Sequence, residues 1–281
     1  MAKRKPKPVN NLIVVSDLHC GDQVGLCPPA MILDGGGAYE RSDFQVGIWE
    51  WWRDFWEEWV PRVTQGEPYA VCVNGDAMDN RHHGAVHQIT QNLADQQRIA
   101  VSALKPIVEK CEGRFYLVRG TEAHTGQSGE NEEMLGAVLG SVPDAIGNRS
   151  HNELWIRIGR ALCHIMHHIG TTSSSANEAS AVNAELTAEY VEAARWGQEP
   201  PDFVIRSHRH RCIVVDLDSA KGYAAGIVTP GWQGRTPFSY RIASGRITQP
   251  QFGGVLIRQG DEEFYYRRWV KAIPRPAEVR P

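Results

Sequence analysis

The chain has 281 residues, of which 42% are hydrophobic and 22% are charged, and its formal net charge at pH 7 is −3. This composition is typical of a globular protein, and no apolar stretch approaches the roughly 18 residues that a membrane-spanning helix needs. The slightly negative charge argues against a strongly basic protein dedicated to nucleic acid. It does not exclude an enzyme that meets phosphate groups through metal ions.

We expect one domain over residues 11–271, because α/β domains of about 250 residues are common. The basic segment 1–10 lacks the apolar core of a secretory signal and predicts a disordered tail, and the Pro- and Arg-rich segment 272–281 predicts a second tail. The six cysteines form no C-x-x-C pair, which indicates reduced thiols in a cytoplasmic protein.

Apolar runs bounded by polar or Gly-rich residues predict strands along the whole chain. They cover residues 11–17, 69–76, 114–120, 154–159, 161–168, 202–208, 212–217 and 254–258. Apolar residues at helical spacing predict helices over 44–60, 89–111 and 177–197, and Pro106 is expected to kink or end the second. The first helix carries a tryptophan-rich stripe that predicts core packing. This mixture predicts an α/β fold with two packed sheets or one large mixed sheet.

Carboxylate and imidazole side chains follow five of these strands. The groups, in chain order, are Asp17 and His19, Asp76 and Asp79, Glu122 and His124, His167 and His168, and His208 and His210. Open α/β sheets place their functional sites at the C-terminal ends of the strands. Eleven histidines scattered at random would not follow the strands in this way, so the pattern predicts one shared site.

Aspartate and histidine ligands without a thiolate pair suit divalent ions such as Mn, Fe, Zn or Ni, and we expect manganese. Roughly eight candidate ligands are too many for one tetrahedral ion and suit two ions that share a carboxylate. Two metal ions about 3.5–4 Å apart would clamp a phosphoryl group and generate hydroxide near neutral pH.

The motifs D-x-H, G-D-x-x-D, G-x-x-x-H, H and H-x-H occur in an order that resembles the calcineurin-like metallophosphoesterase superfamily, over about residues 11 to 215. Within that superfamily the chain looks most like phosphoesterases of bacteriophage and prophage genomes. The resemblance implies a four-layer α/β/β/α sandwich of two mixed β-sheets flanked by helices. It also implies a dinuclear metal centre at the strand ends.

Carried to the matching positions, the resemblance implies a role for each residue. The implied ligands are Asp17, His19 and His210 for one ion, His167 and His208 for the other, and Asp76 as the bridge. Asp79 would orient the catalytic histidine through a hydrogen bond. Adjacent strand residues point to opposite faces, so only one of His167 and His168 can reach the ion, and the family places the ligand first.

One motif departs from the family pattern. The family has G-N-H-[DE], in which the Asn binds the second metal and the His faces the substrate, whereas this chain has Gly120-Thr121-Glu122-Ala123-His124. Either Glu122, as an anionic ligand, or Thr121, through its hydroxyl, replaces the Asn, and we favour Glu122. His124 is the expected proton donor to the leaving oxygen.

Two further segments are candidates for substrate contact. One is the loop after the bridging aspartate, with Arg81, His82, His83 and His87. It either recognises phosphate or is a solvated turn, and His83 is the preferred residue. In the other segment, Trp232 either stacks on a base or packs on the sheet.

The sequence therefore predicts a dinuclear metal-dependent phosphoesterase in which a hydroxide that bridges the two ions attacks phosphorus. We expect phosphodiesters of nucleotides, or of short or single-stranded nucleic acid, as substrates, and no membrane partner. A phosphomonoesterase with the same centre is the alternative. A non-catalytic scaffold of the same fold and a single-metal hydrolase of unrelated fold are the remaining hypotheses. The oligomeric state stays open.

Overall fold

The structure is a computed structural model that describes residues 9–82, 84–170, 177–242, 249–273 and 278–279. Most of the two predicted tails lies outside these ranges, as does His83. Ala272, the first residue of the predicted C-terminal tail, is instead the last residue of a strand.

Ten of the strands form two five-stranded mixed sheets. Across the first sheet the order is β12 (Phe264–Ala272), β11 (Gln251–Gln259), β1 (Asn11–Val15), β4 (Ala70–Asn74) and β5 (Phe115–Val118). Across the second it is β6 (Leu154–Ile158), β7 (Ala161–Ile165), β8 (Phe203–Arg206), β10 (Gly222–Val228) and β9 (Ile213–Ser219). A separate hairpin pairs β2 (Met31–Ile32) with β3 (Ala38–Tyr39).

The parallel strands bring the functional side chains to one edge. In the first sheet β1, β4 and β5 are parallel neighbours, and in the second β7 and β8 are parallel. The two edges meet, because the side-chain amide of Asn74, at the end of β4, donates to the carbonyl oxygen of Met166, just after β7, at 2.9 Å. The C-terminal ends of the site-bearing strands therefore lie together.

The helices are α1 (Asp43–Asp54), a π-helical turn (Phe55–Trp59), α2 (Val60–Thr64), α3 (Leu93–Lys110), α4 (Glu122–Thr125), α5 (Glu130–Leu139), α6 (Glu178–Trp196) and α7 (Pro237–Ile242). A capping box of Ser42 and Gln45 starts α1. Pro106 does not end α3, which continues to Lys110. None of the described helices combines the length with the apolar character that a bilayer crossing demands.

Strand β1 shows how the layers form, because both of its faces are buried. Ile13 and Val15 pack with residues of α1, α3 and α5, whereas Leu12 and Val14 pack against the inner face of the second sheet. On the outer face of the second sheet, α6 buries its apolar side chains, Leu186 among them. The order of layers is helices, sheet, sheet and helix, which confirms the predicted α/β/β/α sandwich.

The tryptophan-rich stripe of the first helical segment lies in the core, as predicted. Trp232 joins the same cluster and is 0% exposed. Its ring meets Trp52 edge-to-face at a centroid distance of 4.8 Å and stacks on Trp269 at 6.1 Å. This corrects the base-stacking interpretation of Trp232, because no face of its ring is open to a ligand.

We predict that Trp232→Ala lowers the free energy of unfolding by about 3–5 kcal/mol, since it leaves a cavity in a close-packed core. The matched control is Trp196→Ala on α6, where the ring is 74% exposed. That change should cost less than about 0.5 kcal/mol. Urea unfolding followed by circular dichroism measures both, and equal losses would contradict the burial of Trp232.

Candidate metal centre

Five of the predicted ligands hold a backbone conformation that residues other than glycine rarely adopt. Asp17, His19, Asp76, His208 and His210 have φ values of 53°, 44°, 51°, 70° and 50°. In the described part of the chain, only nine non-glycine residues have positive φ. Such strain concentrates at functional sites, where surrounding contacts hold it in place. We infer that the turns after β1, β4 and β8 are shaped by the side chains that they carry.

The first ligand group combines the turns after β1 and β8. Asp17 Oδ1 lies 3.3 Å from His210 Nε2, and His19 Nε2 lies 3.3 Å from the same atom. Ligands that lie about 2.1 Å from one metal ion are about 3.0–3.4 Å apart. Two of the three pairs therefore have the spacing that one ion requires, and all three ligand atoms lie within 4.8 Å of one another.

The second group lies beside the first. Asp76 Oδ2 is 3.0 Å from His167 Nε2, and an imidazole nitrogen of His208 lies within 4.8 Å of both residues' ligand atoms. His167 Nδ1 donates to the carbonyl oxygen of Asn74 at 2.6 Å, which leaves Nε2 to face Asp76. His167 Nε2 is also 3.9 Å from Asp17 Oδ1, so the two groups are adjacent.

Two buried atoms of these groups point to an ion. Asp17 Oδ1 and His167 Nε2 are buried and make no hydrogen bond of regular geometry within the described ranges, and their nearest polar neighbours, at 3.0–3.9 Å, are the other candidate ligand atoms. Buried polar atoms rarely lack a partner, and a metal ion is one such partner. The donor set, with aspartate and histidine and no thiolate, is also that of a divalent metal site. These residues therefore fit metal ions at this edge of the sandwich.

The carboxylates are charged although they are buried. Burial raises the pKa of Asp17, but His210 and His167 outweigh it and hold that pKa below its usual range. The same holds for Asp76, where burial is opposed mainly by His167, and its pKa is well below the usual value. For His167, burial lowers the pKa, but Asp76 and Asp17 outweigh it and raise the pKa to about 10. Without a metal, His167 is thus protonated at neutral pH.

Asp79 contacts three histidines, and not all in the same way. Its Oδ1 accepts from His19 Nδ1 at 3.3 Å, and its Oδ2 lies 3.2 Å from His82 Nε2 and accepts from Gln88 Nε2 at 2.9 Å. His124 Nδ1 instead donates to the backbone carbonyl oxygen of Asp79 at 2.7 Å. The carboxylate therefore orients the predicted ligand His19, whereas His124 donates its hydrogen bond to the main chain of Asp79 and lies 3.8 Å from the carboxylate.

His124, on α4, lies against the first ligand group. Its ring meets the rings of His19 and His82 edge-to-face, both at centroid distances of 4.5 Å. Burial and the nearby His19 lower the pKa of His124 to about 4. Because Nδ1 is engaged by Asp79, Nε2 is the atom left to meet a substrate.

At the motif that departs from the family pattern, the structure corrects the preference for Glu122. The backbone N–H of Thr121 donates to Asp76 Oδ1 at 2.8 Å, and its hydroxyl lies 2.9 Å from each carboxylate oxygen. Glu122 begins α4 one residue later, and its side chain is exposed. Within the described ranges, Glu122 belongs to none of the convergent ligand groups. Thr121 therefore takes the position beside Asp76.

The other candidate residues lie around these groups. His168 is exposed and its ring stacks against that of His208, at 5.5 Å between centroids. Arg81 is exposed, and His83 lies outside the described residues. The neighbouring His82, which was not the preferred residue of this loop, has its Nε2 3.2 Å from Asp79 Oδ2.

A buried polar network beneath the ligands was missed from the sequence. The hydroxyl of Thr229 lies 2.8 Å from that of Ser16 and 2.7 Å from that of Ser207, which accepts from the Asn74 amide at 2.7 Å. These groups join the two sheets at the site edge. A signal was present, because three of the four residues end an apolar run directly before a ligand motif, in S-D, N-G-D and S-H.

We predict that Thr121→Val weakens manganese binding at the Asp76–His167–His208 group about 10-fold or more, since it removes the hydroxyl that orients the carboxylate of Asp76. Glu122→Gln, one residue along, is the matched control and should change the affinity less than about 2-fold. Calorimetric titration with Mn²⁺ measures both variants. A larger loss of manganese affinity in Glu122→Gln than in Thr121→Val would instead identify Glu122 as the ligand.

Metal binding must displace the proton of His167, so we predict that manganese affinity rises with pH between about 6.5 and 10. The rise should reach about 10-fold per pH unit for one released proton. Titrations in buffers of different ionisation enthalpy count the protons released. His168→Gln should keep the same slope.

The raised pKa of His167 also determines how the stability of the metal-free protein changes with pH. Metal-free protein has the full stabilisation from charged His167 below about pH 6.5 and loses it as pH rises through about 10.

A manganese affinity independent of pH, with no proton released, would contradict the protonated state of His167.

No protein-family model and no curated protein matches the chain. Among solved structures, it is similar to Vacuolar Protein Sorting 29 from Cryptosporidium parvum, with 12% identity, a TM-score of 0.38, and coverage of 95% of this chain and 100% of that one. It is also similar to a Thermotoga maritima protein solved by NMR, with 10% identity, a TM-score of 0.40, and coverage of 94% and 100%. Identities this low say nothing about activity.

Proposed function

We propose that this protein is a dinuclear metal-dependent phosphoesterase of the calcineurin-like metallophosphoesterase superfamily. The observation that carries the proposal is the adjacency of two ligand groups, Asp17–His19–His210 and Asp76–His167–His208. Asp76 also forms a convergent group with His19 and His124, so it has ligand neighbours on both sides, as a bridging carboxylate requires. Two ions bound by these adjacent groups would suit a phosphoryl group between them.

Two divalent ions, with manganese preferred, would polarise the phosphoryl oxygens and make water a nucleophile near neutral pH. The chain's own contribution is to hold the ligands still. The Asp79 carboxylate fixes the ring of His19, the carbonyl oxygen of Asn74 fixes that of His167, and Thr121 fixes Asp76. Such hydrogen bonds set which imidazole nitrogen faces the metal.

His124 is the proposed proton donor. Its Nδ1–H stays on the Asp79 carbonyl oxygen, so Nε2 faces the substrate in a fixed direction. In the absence of substrate its pKa is about 4, mainly through burial. An anionic phosphate beside the ring favours the charged form and raises that pKa, which lets Nε2 carry a proton to the leaving oxygen.

We propose phosphodiesters of nucleotides, or of short or single-stranded nucleic acid, as the substrate class. The net charge of −3 supports this choice, because a protein that tracks a long duplex needs an excess of basic charge. A cytoplasmic location and a phage-type subgroup belong to the same proposal. The six cysteines, all free thiols, fit a reducing compartment.

The test is hydrolysis of bis-p-nitrophenyl phosphate, p-nitrophenyl phosphate and a dinucleotide with Mn²⁺. We predict metal-dependent cleavage, faster on the nitrophenyl diester than on the monoester. His124→Gln should lower kcat for the dinucleotide by about 10²–10⁴-fold, because an alkoxide leaves only with a proton. The loss on the nitrophenyl diester should be much smaller, because nitrophenolate leaves without one.

His151→Gln is the matched control, since His151 contacts the carbonyl oxygen of Val142 and belongs to none of the ligand groups within the described ranges. Protein that carries two ions and cleaves none of the esters would be the non-catalytic scaffold. Faster cleavage of p-nitrophenyl phosphate would replace the diesterase with the phosphomonoesterase. Equal losses on both diesters would remove His124 as the proton donor.

A further inference from the structure

One buried carboxylate near the metal centre has none of the roles assigned above. Glu132 lies in the first turn of α5 and is 1% exposed. Its Oε1 accepts from the backbone N–H of Ala77 at 3.1 Å, and its Oε2 accepts from that of Gly120 at 2.8 Å. Ala77 directly follows Asp76, and Gly120 directly precedes Thr121. A single side chain thus joins the two turns that carry Asp76 and Thr121.

These two turns are closely packed against each other. A β-carbon at Gly120 would overlap Asp76 Oδ1, and one at Gly75, where φ is +81°, would overlap the ring of His167 and the backbone of Gly120. Because the atoms are packed this closely, no free space can compensate for a shift of either turn. Even a small shift therefore moves Asp76 relative to Thr121. The structure must therefore keep the distance between these two turns constant.

The identity of the side chain matters because both of its oxygens accept. A carboxylate offers two acceptors and can satisfy two N–H donors, whereas the isosteric amide of Gln offers one acceptor and one donor. Burial and the charge of Asp76 raise the pKa of Glu132 to about 7, which means that the surroundings disfavour its ionised form. Glu132 belongs to none of the convergent ligand groups among the described residues, so it acts through the turns it joins.

We propose that Glu132 is a positioning residue for the Asp76 side of the metal centre. By accepting from Ala77 and Gly120, it holds Asp76 and Thr121 in the arrangement that binds the second ion. The inference rests on the proposed dinuclear centre, and its readout is ion binding, so it does not depend on which ester is hydrolysed.

The experiment is a calorimetric titration of the metal-free full chain with Mn²⁺. In Glu132→Gln, the affinity for the ion at Asp17, His19 and His210 should change little, because these three side chains are not disturbed. The affinity for the ion at Asp76, His167 and His208 should fall about 10-fold or more. Glu132→Asp keeps the charge and both acceptors on a shorter side chain, and it should restore part of that loss. Circular dichroism and thermal unfolding establish that each variant is folded.

The matched control is Glu130→Gln. Glu130 lies two residues earlier on α5, and its Oε2 also accepts from a backbone N–H, that of Ser128, but in an exposed position. This variant should bind both ions as the unchanged protein does. If Glu130→Gln weakened the second ion equally, the effect would belong to the start of α5 and not to Glu132.

Three further results would overturn the inference. They are two ions bound with unchanged affinity by folded Glu132→Gln, equal weakening of both ions, or a Glu132→Asp variant no better than Glu132→Gln. If Glu132→Gln does not fold, Glu132→Asp carries the test, and its second ion must then be selectively weakened. An unchanged protein that binds fewer than two ions would contradict the proposed function itself, which the titration of that protein alone reveals.

Discussion

The side-by-side burial of Asp17 and Asp76 is the constraint on which this structure depends. Each lies at the end of a buried strand, and the charge of Asp76 opposes the ionisation of Asp17. Both stay charged only because imidazoles face them across the meeting edges of the two sheets, chiefly His210 and then His167 at Asp17, and His167 at Asp76. Parallel neighbours β1 and β4 bring the carboxylates together, and β7 and β8 bring the histidines. The arrangement that makes this charge tolerable is also one that fits divalent cations.

The surrounding chain holds these ligands by hydrogen bonds from every side. Beneath them, Asn74 links the sheets, and its carbonyl oxygen holds the ring of His167. Beside them, the Asp79 carboxylate holds His19, and Thr121 holds Asp76. The strained φ values of the ligand residues fit this picture, since strain persists only where neighbouring contacts determine the conformation. The candidate metal centre is thus a property of the sandwich edge more than of any loop.

Prediction from the sequence succeeded where a local pattern maps onto geometry. Apolar runs marked eight of the ten sheet strands and missed β10 and β12. The polar groups that follow the marked strands lie together, because parallel strands end at one edge. Prediction failed where a turn decides the direction of a side chain. Glu122 was preferred for its charge, but α4 begins at that residue, and the hydroxyl of Thr121 meets Asp76 instead. For Trp232 the sequence left base stacking and packing as alternatives, and the structure places its ring in the core.

The sequence by itself determined most of the strands along the chain, the α/β class and the residue types at the strand ends, because these follow from apolar periodicity and from short-range motifs. Only the tertiary structure decided which of those side chains converge, because convergence depends on the pairing of strands far apart in the chain. It also decided the role of Glu132, which lies in a helix that the periodicity did not predict. Its two acceptors reach backbone groups 55 and 12 residues away, and no local pattern encodes such contacts.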